Sequence, residues 1–366
     1  MDIRVLHVLP SLTWCGGIES YVMNYYRHIN REKIQFDFIT HGNFSADIVE
    51  EIENMGGRVY NWKKFNLSKI PKLMKKINEF FCDNQGVYTA IHCHMANGAM
   101  FYFPVARKYG VKKLILHSHN NRAAAIRSHA LRNIPLLWIG NKLATHRLAC
   151  TYDAGHFLFG DCKFEIIKNA IEVKKFLYNE EIREKIRKKY NWANDFIIGH
   201  VGRLNPQKNQ IYLLEIFKYV LKKEPTAKLI LIGEGEDYNC LKKRAQELGV
   251  DNRVEFLGSK SNIYDFYQAF DVFVFPSLYE GLGMVLIEAQ LSGLHTFASE
   301  KVIPYEAKVS DLLQFLPLDA GAEYWAEKIL TPSFKSPRKS PLEDVERAGY
   351  DVKIETEKME KFYLQG

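Results

Sequence analysis

The sequence predicts an α/β protein built from two successive Rossmann-like domains. Its 366 residues are too many for one ordinary hydrophobic core and suit two domains of typical size. Short apolar runs alternate with amphipathic stretches, which is the pattern of β-α units around a parallel sheet. This alternation runs out near residue 170 and then starts again. We therefore expect domains over residues 1–170 and 171–345, followed by a helical segment over 346–366.

Each domain is expected to hold its own parallel sheet. For the first we predict strands at 4–9, 36–40, 59–61, 90–94, 113–117, 148–151 and 165–167, with helices at 18–29, 47–54, 69–83 and 98–109. For the second we predict strands at 196–201, 228–232, 254–257, 271–275 and 295–298, with helices at 209–223, 237–248, 263–269 and 284–291. A last helix is predicted over 350–363. Ligands of such sheets bind beyond the carboxyl ends of the strands, so candidate sites are sought in the loops there.

Bulk composition excludes several classes of protein. A hydrophobic fraction of 47% with 25% charged residues is typical of globular chains. No apolar stretch of about 20 residues is present, so we expect no membrane-spanning helix. The first ten residues indicate a strand and lack the features of an export signal. Because the six cysteines form no CxxC pair, we expect free thiols and a cytoplasmic location.

One short segment, His92-Cys93-His94, invites a metal interpretation. Successive side chains of a strand point to opposite faces of the sheet. Three adjacent residues therefore cannot all reach one ion, and we expect no metal site from this segment.

Positive charge is concentrated in the first half of the chain. Residues 1–170 hold 22 Lys and Arg against 13 Asp and Glu, a net charge of +9, whereas residues 171–366 hold 28 against 30, a net charge of −2. Basic and apolar side chains interleave over 62–81 and 122–147, which suits docking on an anionic membrane surface. A solvated basic surface without a partner, formed by ordinary amphipathic helices, is the alternative.

The first candidate site is the loop after the first predicted strand, where Gly16 and Gly17 precede a helix. Glycines at a helix N-terminus let backbone N–H groups approach an anion closely. A plain tight turn is the alternative. The loop lacks the G-x-G-x-x-G pattern, which disfavours a dinucleotide and with it an NAD-dependent oxidoreductase.

The second candidate site follows the strand predicted at 196–201. Arg203 and Lys208 lie five residues apart on a Pro-containing turn before a helix. A guanidinium can clamp a diphosphate with two hydrogen bonds, and an ammonium adds a point charge. A solvated basic turn is the alternative.

The third candidate is the strongest, and it combines a glycine loop with two carboxylates. Glu280 opens the segment Glu280-Gly281-Leu282-Gly283-Met284, and Glu288 lies in the helix that follows. An ionised carboxylate accepts hydrogen bonds from vicinal hydroxyls, and loop N–H groups can face a phosphate. The combination indicates a ligand that carries both hydroxyls and phosphates.

Together these residues resemble glycosyltransferase family 4, a family of retaining enzymes of the GT-B fold. Residues 276–293 match the E-x7-E signature of that family through Glu280 and Glu288. The early glycine loop, the Arg203–Lys208 turn, residues 168–171 and the closing helix extend the resemblance over nearly the whole chain. Residues 16–27, 288–294 and 303–306 are similar to bacterial capsule and exopolysaccharide transferases. Ala170 and residues 294–300 depart from the family pattern, which bears on hinge geometry and donor choice.

The resemblance implies a role for each candidate residue. Arg203 and Lys208 would bind the donor diphosphate, and Glu288 would hold the ribose hydroxyls. Glu280, with the backbone from Gly281 through Leu282 and Gly283 to Met284, would grip the transferred sugar. Gly16 and Gly17 would lie near the phosphates, across a cleft between two facing domains. The backbone of Leu257, Gly258 and Ser259 would face the base. His119 would contact the donor sugar near the reaction centre, with His117 as the rival.

The implied activity is that of a retaining hexosyltransferase. A nucleotide sugar, UDP-linked, would be the donor on the second domain, and a saccharide or lipid-linked saccharide would be the acceptor on the first. The closing helix would cross back to the first domain. We expect no cofactor and no metal, because Arg203, Lys208 and loop N–H groups supply the positive potential that a leaving diphosphate needs. No nucleic-acid partner is expected. A GT-B sugar-nucleotide epimerase and a non-catalytic GT-B-like binding protein are the alternatives.

Overall fold

The structure is a computed structural model, described over residues 3–13, 17–62, 70–119, 127–331 and 338–365, with only the backbone described for 127–132. The chain divides into two compact units. The first unit comprises Met1–Ala170 together with Val352–Gly366, and the second comprises Ile171–Asp351. Each unit holds one parallel sheet flanked by helices, so the predicted class of two Rossmann-like domains is confirmed.

The sheet of the first unit has seven strands in the order β3-β2-β1-β4-β5-β6-β7, with every neighbouring pair parallel. All seven were predicted, with ends that differ by at most two residues. The strands are β1 (Ile3–Leu9), β2 (Ile34–Thr40), β3 (Val59–Asn61), β4 (Ala90–Cys93), β5 (Lys113–Ser118), β6 (His146–Ala149) and β7 (Glu165–Ile166). The strand order reverses between β1 and β4.

In the described part of the chain before residue 170, six helices belong to the first unit. They are α1 (Gly17–His28), α2 (Ala46–Asn54), α3 (Ile70–Asp83), α4 (Ala99–Lys108), α5 (Arg127–Leu143) and α6 (Tyr152–Phe159). The last two were not predicted. Helix α5 has no clear apolar stripe and contains Pro135. The strand predicted at 148–151 ends earlier because the Thr151 side chain accepts from the backbone N–H of Ala154 and caps α6.

The sheet of the second unit has six parallel strands in the order β10-β9-β8-β11-β12-β13. The strands are β8 (Phe196–Val201), β9 (Ala227–Ile232), β10 (Val254–Phe256), β11 (Val272–Phe275), β12 (His295–Ser299) and β13 (Leu313–Leu316). Only β13 was missed, a four-residue edge strand whose Gln314 is exposed. The order reverses between β8 and β11.

Helices of the second unit surround this sheet. They are α7 (Val173–Phe176), α8 (Glu180–Lys189), α9 (Gln210–Lys223), α10 (Tyr238–Leu248), α11 (Ile263–Ala269), α12 (Met284–Leu291), α13 (Ala322–Ile329) and α14 (Leu342–Arg347). Helices α7, α8, α13 and α14 were not predicted; α8, for example, is largely charged, and of its side chains only Ile186 and Arg187 are buried. Val345 of α14 and Tyr350 pack in the core of the second unit, so that unit extends beyond residue 345.

The last helix, α15 (Val352–Leu364), belongs to the first unit, as predicted. Its Met359 and Tyr363 pack with Tyr25 of α1 and with Val5 and Leu9 of β1. Because side chains alternate along a strand, Leu6 and Val8 of β1 face the other core, which packs against α3 and α4. His7 therefore shares the face that α1 and α15 cover.

Two further predictions concern the cysteines and membrane-spanning helices. The described cysteines, which are Cys82, Cys93, Cys150, Cys162 and Cys240, are free thiols. Among the helices in the described ranges, none is long and apolar enough to cross a bilayer.

Candidate functional site

In the second unit the candidate loops meet where the strand order reverses. Arg203 and Lys208 follow β8, and Glu280 follows the neighbouring strand β11. Both loops leave the carboxyl ends of their strands. This is the place in an open parallel sheet where ligands bind, because the loops diverge there and leave a crevice.

Lys208 and Glu280 form a largely buried ion pair across this crevice. Lys208 Nζ lies 2.6 Å from Glu280 Oε1, and the side chains are 16% and 7% exposed. Gln207 Nε2 also reaches that oxygen, at 3.4 Å. The left-handed residue Asn209 donates from Nδ2 to the carbonyl of Pro276 at 3.1 Å, which ties the β8 loop to the β11 loop. Two residues predicted separately are therefore in direct contact.

Arg203 does not join this pair. Its Nη2 lies 3.1 Å from Glu236 Oε2, and the two side chains are 62% and 55% exposed. An exposed pair of this kind contributes only about 0–1 kcal/mol. The guanidinium is therefore easily released to an anionic ligand, whereas Lys208 is held in place.

Glu288 lies on α12 and has a different partner. Tyr267 Oη donates to Glu288 Oε2 at 2.8 Å. Burial raises the pKa of Glu288 to about 7, and the hydrogen bond from Tyr267 opposes that rise. Before α12, Leu282 is buried in the core and Gly283 adopts a left-handed conformation with φ 79°. The loop Gly281–Met284 is thus anchored by one apolar side chain between two glycines.

The turn after β9 was missed as a site element. Gly233 has φ 136°, and a Cβ there would lie 2.1 Å from the carbonyl oxygen of Gly202. Its N–H donates to the carbonyl of Gly258 at 2.9 Å, and Glu234 Oε1 accepts from the N–H of Ser259 at 3.3 Å. Residues 257–259 are therefore held beside the Arg203 loop. The sequence feature that could have indicated this turn is the Gly-Glu-Gly-Glu run at 233–236, directly after a predicted strand.

In the first unit Gly17 is the first residue of α1, and the space around it is open, since a Cβ there would have no neighbour within 4 Å among the described atoms. Close packing thus does not require glycine at position 17. Gly16 lies outside the described residues. Glu19 of α1, which was not singled out, is buried, accepts a hydrogen bond from Ser11, and has its pKa raised by burial.

His119 lies just after β5, at the end of a string of histidines. Its Nε2 is 2.8 Å from His94 Nδ1, and His94 Nε2 is 3.0 Å from His7 Nδ1. A second string runs from Tyr363 Oη to His92 Nδ1 at 2.6 Å and from His92 Nε2 to His117 Nδ1 at 3.0 Å. His117 and His119, the two candidates for the contact with the donor sugar, therefore belong to one cluster of five imidazole rings.

Burial keeps these imidazoles neutral. It lowers the pKa of His7 and of His119 to about 3. It also lowers the pKa values of His92, His94 and His117 well below the ordinary value, and the neighbouring histidines add to that effect. Cys93 packs in the opposite core, in agreement with the argument that 92–94 cannot converge. Histidines of the adjacent strands share one face with His92 and His94, so a cluster forms that the segment 92–94 does not reveal by itself.

Comparisons with known proteins agree with this geometry. Residues 182–312 match the family described as "Glycosyl transferases group 1". The chain is 32% identical over 364 residues to the Bacillus subtilis glycosyltransferase EpsF, covering 95% of this chain and 93% of that protein. It is 28% identical over 250 residues to an Escherichia coli UDP-Gal:alpha-D-GlcNAc-diphosphoundecaprenol alpha-1,3-galactosyltransferase, covering 64% and 63%.

A solved structure of similar fold is that of Anabaena HepE in complex with UDP and glucose, with a TM-score of 0.79, 17% identity and complete coverage of both chains. This likeness concerns the fold, which is that of the GT-B glycosyltransferases, as predicted.

Proposed function

This chain belongs to the group 1 glycosyl transferases, and we propose that it transfers a hexose-type sugar from a UDP-sugar to a saccharide acceptor with retention of anomeric configuration. We further propose that it is a member of glycosyltransferase family 4. The acceptor proposed is a lipid-linked saccharide of cell-surface polysaccharide synthesis.

The observation that carries the proposal is the Lys208–Glu280 pair where the strand order of the second sheet reverses, with Arg203 on the same loop as Lys208. Lys208 and Arg203 would hold the diphosphate and stabilise the negative charge that develops on it as the sugar leaves. Glu280, placed beside Lys208, would accept from hydroxyls of the transferred sugar. With two cations assigned to the leaving group, the transfer is proposed to need no metal.

Glu288 is proposed to hold the nucleotide ribose. An ionised carboxylate accepts hydrogen bonds through both of its oxygens, whereas a protonated carboxyl group keeps only part of that capacity. Tyr267 donates to Oε2 of Glu288, which leaves Oε1 to accept from the ribose hydroxyls. The backbone at 257–259 is proposed to face the base. Gly17 and His119, in the first unit, keep the roles that the family resemblance implies, near the phosphates and the donor sugar.

The names of the similar proteins support the choice of donor and acceptor. The Escherichia coli relative uses UDP-Gal and a diphosphoundecaprenol-linked sugar by its name, and the HepE structure contains UDP and glucose. The two relatives described above carry the names of transferases, which favours a transferase over an epimerase or a non-catalytic binding protein.

Docking on an anionic membrane is the proposed route to a lipid-linked acceptor. On α3, Lys72, Lys75 and Lys76 are exposed. On α5, Ile134 and Trp138 are 53% and 59% exposed, and Lys142 Nζ lies 3.7 Å from the centroid of the Trp138 ring. These basic and apolar groups match the arrangement that binds to a lipid surface. Residues 63–69 and 122–126 of the two predicted stretches lie outside the described residues, and of 127–132 only the backbone is described.

The test is a donor screen with product analysis. Purified protein is incubated with single UDP-sugars, with and without a lipid-linked sugar acceptor, and products are identified by mass spectrometry. We expect a glycosylated acceptor and released UDP, undiminished by EDTA. Conversion of the donor to its epimer without acceptor would favour the epimerase, and UDP binding with no turnover would favour a binding protein.

A further inference from the structure

Four buried histidines and one partly buried histidine, His119, gather on one face of the sheet of the first unit, around the point where the strand order reverses. His7 of β1 lies directly opposite His92 of β4 in the parallel register. His94 follows two residues after His92, and His117 and His119 are likewise two residues apart, so each pair shares a face. The rings of His117 and His119 stack with centroids 4.1 Å apart, and those of His92 and His94 are 4.3 Å apart.

Hydrogen bonding within the cluster leaves several polar atoms without a partner among the described residues. A neutral imidazole offers one donor and one acceptor. In the part of the chain that the structure describes, no partner is found for His7 Nε2, His117 Nε2, His119 Nδ1 or the hydroxyl of Tyr21. The ring of Tyr21 stands edge-on to His117 and His119, with centroids 5.0 and 5.2 Å away. Buried polar atoms without partners are costly, which indicates that a further group binds here.

We propose that His94, His117 and His119 bind one divalent transition-metal ion of the zinc class. Each offers a ring nitrogen such that the three nitrogens lie within 4.8 Å of one another. Zn–N bonds of about 2.0–2.1 Å place tetrahedral ligands roughly 3.3 Å apart, so small ring movements complete the site. Imidazole ligands suit Zn²⁺, Cu²⁺ and Ni²⁺ and disfavour Mg²⁺ and Ca²⁺.

The remaining histidines supply the outer partners that such a site needs. Metal-bound histidines usually use their second nitrogen in a hydrogen bond that fixes the ring. His94 Nε2 meets His7, and His117 Nδ1 meets His92, which is held in turn by Tyr363. His119 is the least buried of the five and offers a way in for the ion.

A second group, His7, His92 and His94, also has three nitrogens within reach of one ion. It is less suitable because His7 is enclosed by aromatic rings, with Phe36 4.2 Å away between centroids. Both groups use His94, whose neutral ring has one lone pair for a metal, so filling both would require that ring to lose its proton. The ion would also occupy the ring proposed above to contact the donor sugar, so zinc binding and that contact of His119 exclude each other.

The test uses tag-free, full-length protein treated with EDTA and dialysed, without donor or acceptor, so that its outcome is independent of the transferase proposal. Zinc content is measured by mass spectrometry after loading with ZnCl₂ and desalting, and Co²⁺ is titrated by absorption. We expect one ion per chain and the visible bands of a tetrahedral Co²⁺ site. Absence of stoichiometric zinc in the wild type overturns the proposal.

Variants assign the ligands. H119A and H117N should weaken zinc binding by more than the roughly 10–100-fold typical of outer partners, whereas H7Q should stay within about that range. H156A replaces an exposed histidine of α6; it is the control and should bind as the wild type does. If zinc is lost in H7Q but kept in H119A, the assignment is wrong. Circular dichroism of the metal-free variants checks folding, and H119A decides the matter if H117N does not fold.

Discussion

Replacing Lys208 by Gln separates the structural role of the Lys208–Glu280 pair from its proposed catalytic role. The change leaves a carboxylate that is only 7% exposed, with Gln207 3.4 Å away as its other described side-chain partner. Removing one partner of a fully buried pair costs about 3–5 kcal/mol, and an exposed pair contributes about 0–1 kcal/mol. Because the two side chains are 16% and 7% exposed, we expect a loss of about 2–3 kcal/mol in the free energy of unfolding.

The same substitution should lower turnover of the donor by a factor on the order of 10² or more, because one preorganised charge at the leaving diphosphate is gone. The double variant K208Q/E280Q should regain most of the lost stability, since two neutral amides replace an unpaired buried charge. It should regain none of the turnover. K222Q, an exposed lysine on α9, is the matched control.

Urea unfolding at constant m-value measures stability, and UDP release in the presence of acceptor measures turnover. The reasoning is refuted if K208Q is as stable as K222Q, because the pair would then contribute nothing. It is equally refuted if the double variant recovers wild-type turnover, because Lys208 would then act only through the fold.

Three further predictions address the other site residues and the membrane. R203A should cut turnover by about 10² or more with an unchanged urea midpoint, since Arg203 is 62% exposed; wild-type rates would contradict its role. UDP affinity measured by calorimetry should rise between pH 6 and pH 8 as Glu288 ionises, and this rise should vanish in E288Q. E280Q should keep UDP affinity, and equal losses in E288Q and E280Q would refute the division of roles. Flotation with anionic vesicles should show binding that fades at 1 M salt, where the Debye length falls to about 3 Å, and in K72E/K75E/K76E; equal binding to neutral vesicles would argue for a soluble acceptor.

The Glu288 shift also has a consequence for stability. Its pKa is about 7 in the folded protein against an ordinary value of 4.5, so the folded state holds a proton that the unfolded chain has released between these values. Stability contributed by this residue therefore falls as the pH rises from about 4.5 to 7. Binding of UDP and folding thus respond to pH in opposite directions through one carboxyl group.

The two sheets and the loops that carry the candidate site could be predicted from local sequence patterns. The periodicity of strands and helices depends on residues that are close in sequence. The same holds for the glycine loop with Glu280 and Glu288, and for the turn with Arg203 and Lys208. Helices such as α8 and α14 were not predicted because little of their surface is apolar. Their apolar residues pack against the rest of the second unit.

The contacts among these residues depend on the tertiary fold. Lys208 and Glu280 are 72 residues apart, and they pair because β11 is inserted next to β8 and not next to β10. Tyr267 reaches Glu288 from another helix, and the five histidines come from the ends of three strands that are neighbours only in the sheet. Local periodicity carries no information about strand order, and strand order determines which loops lie side by side.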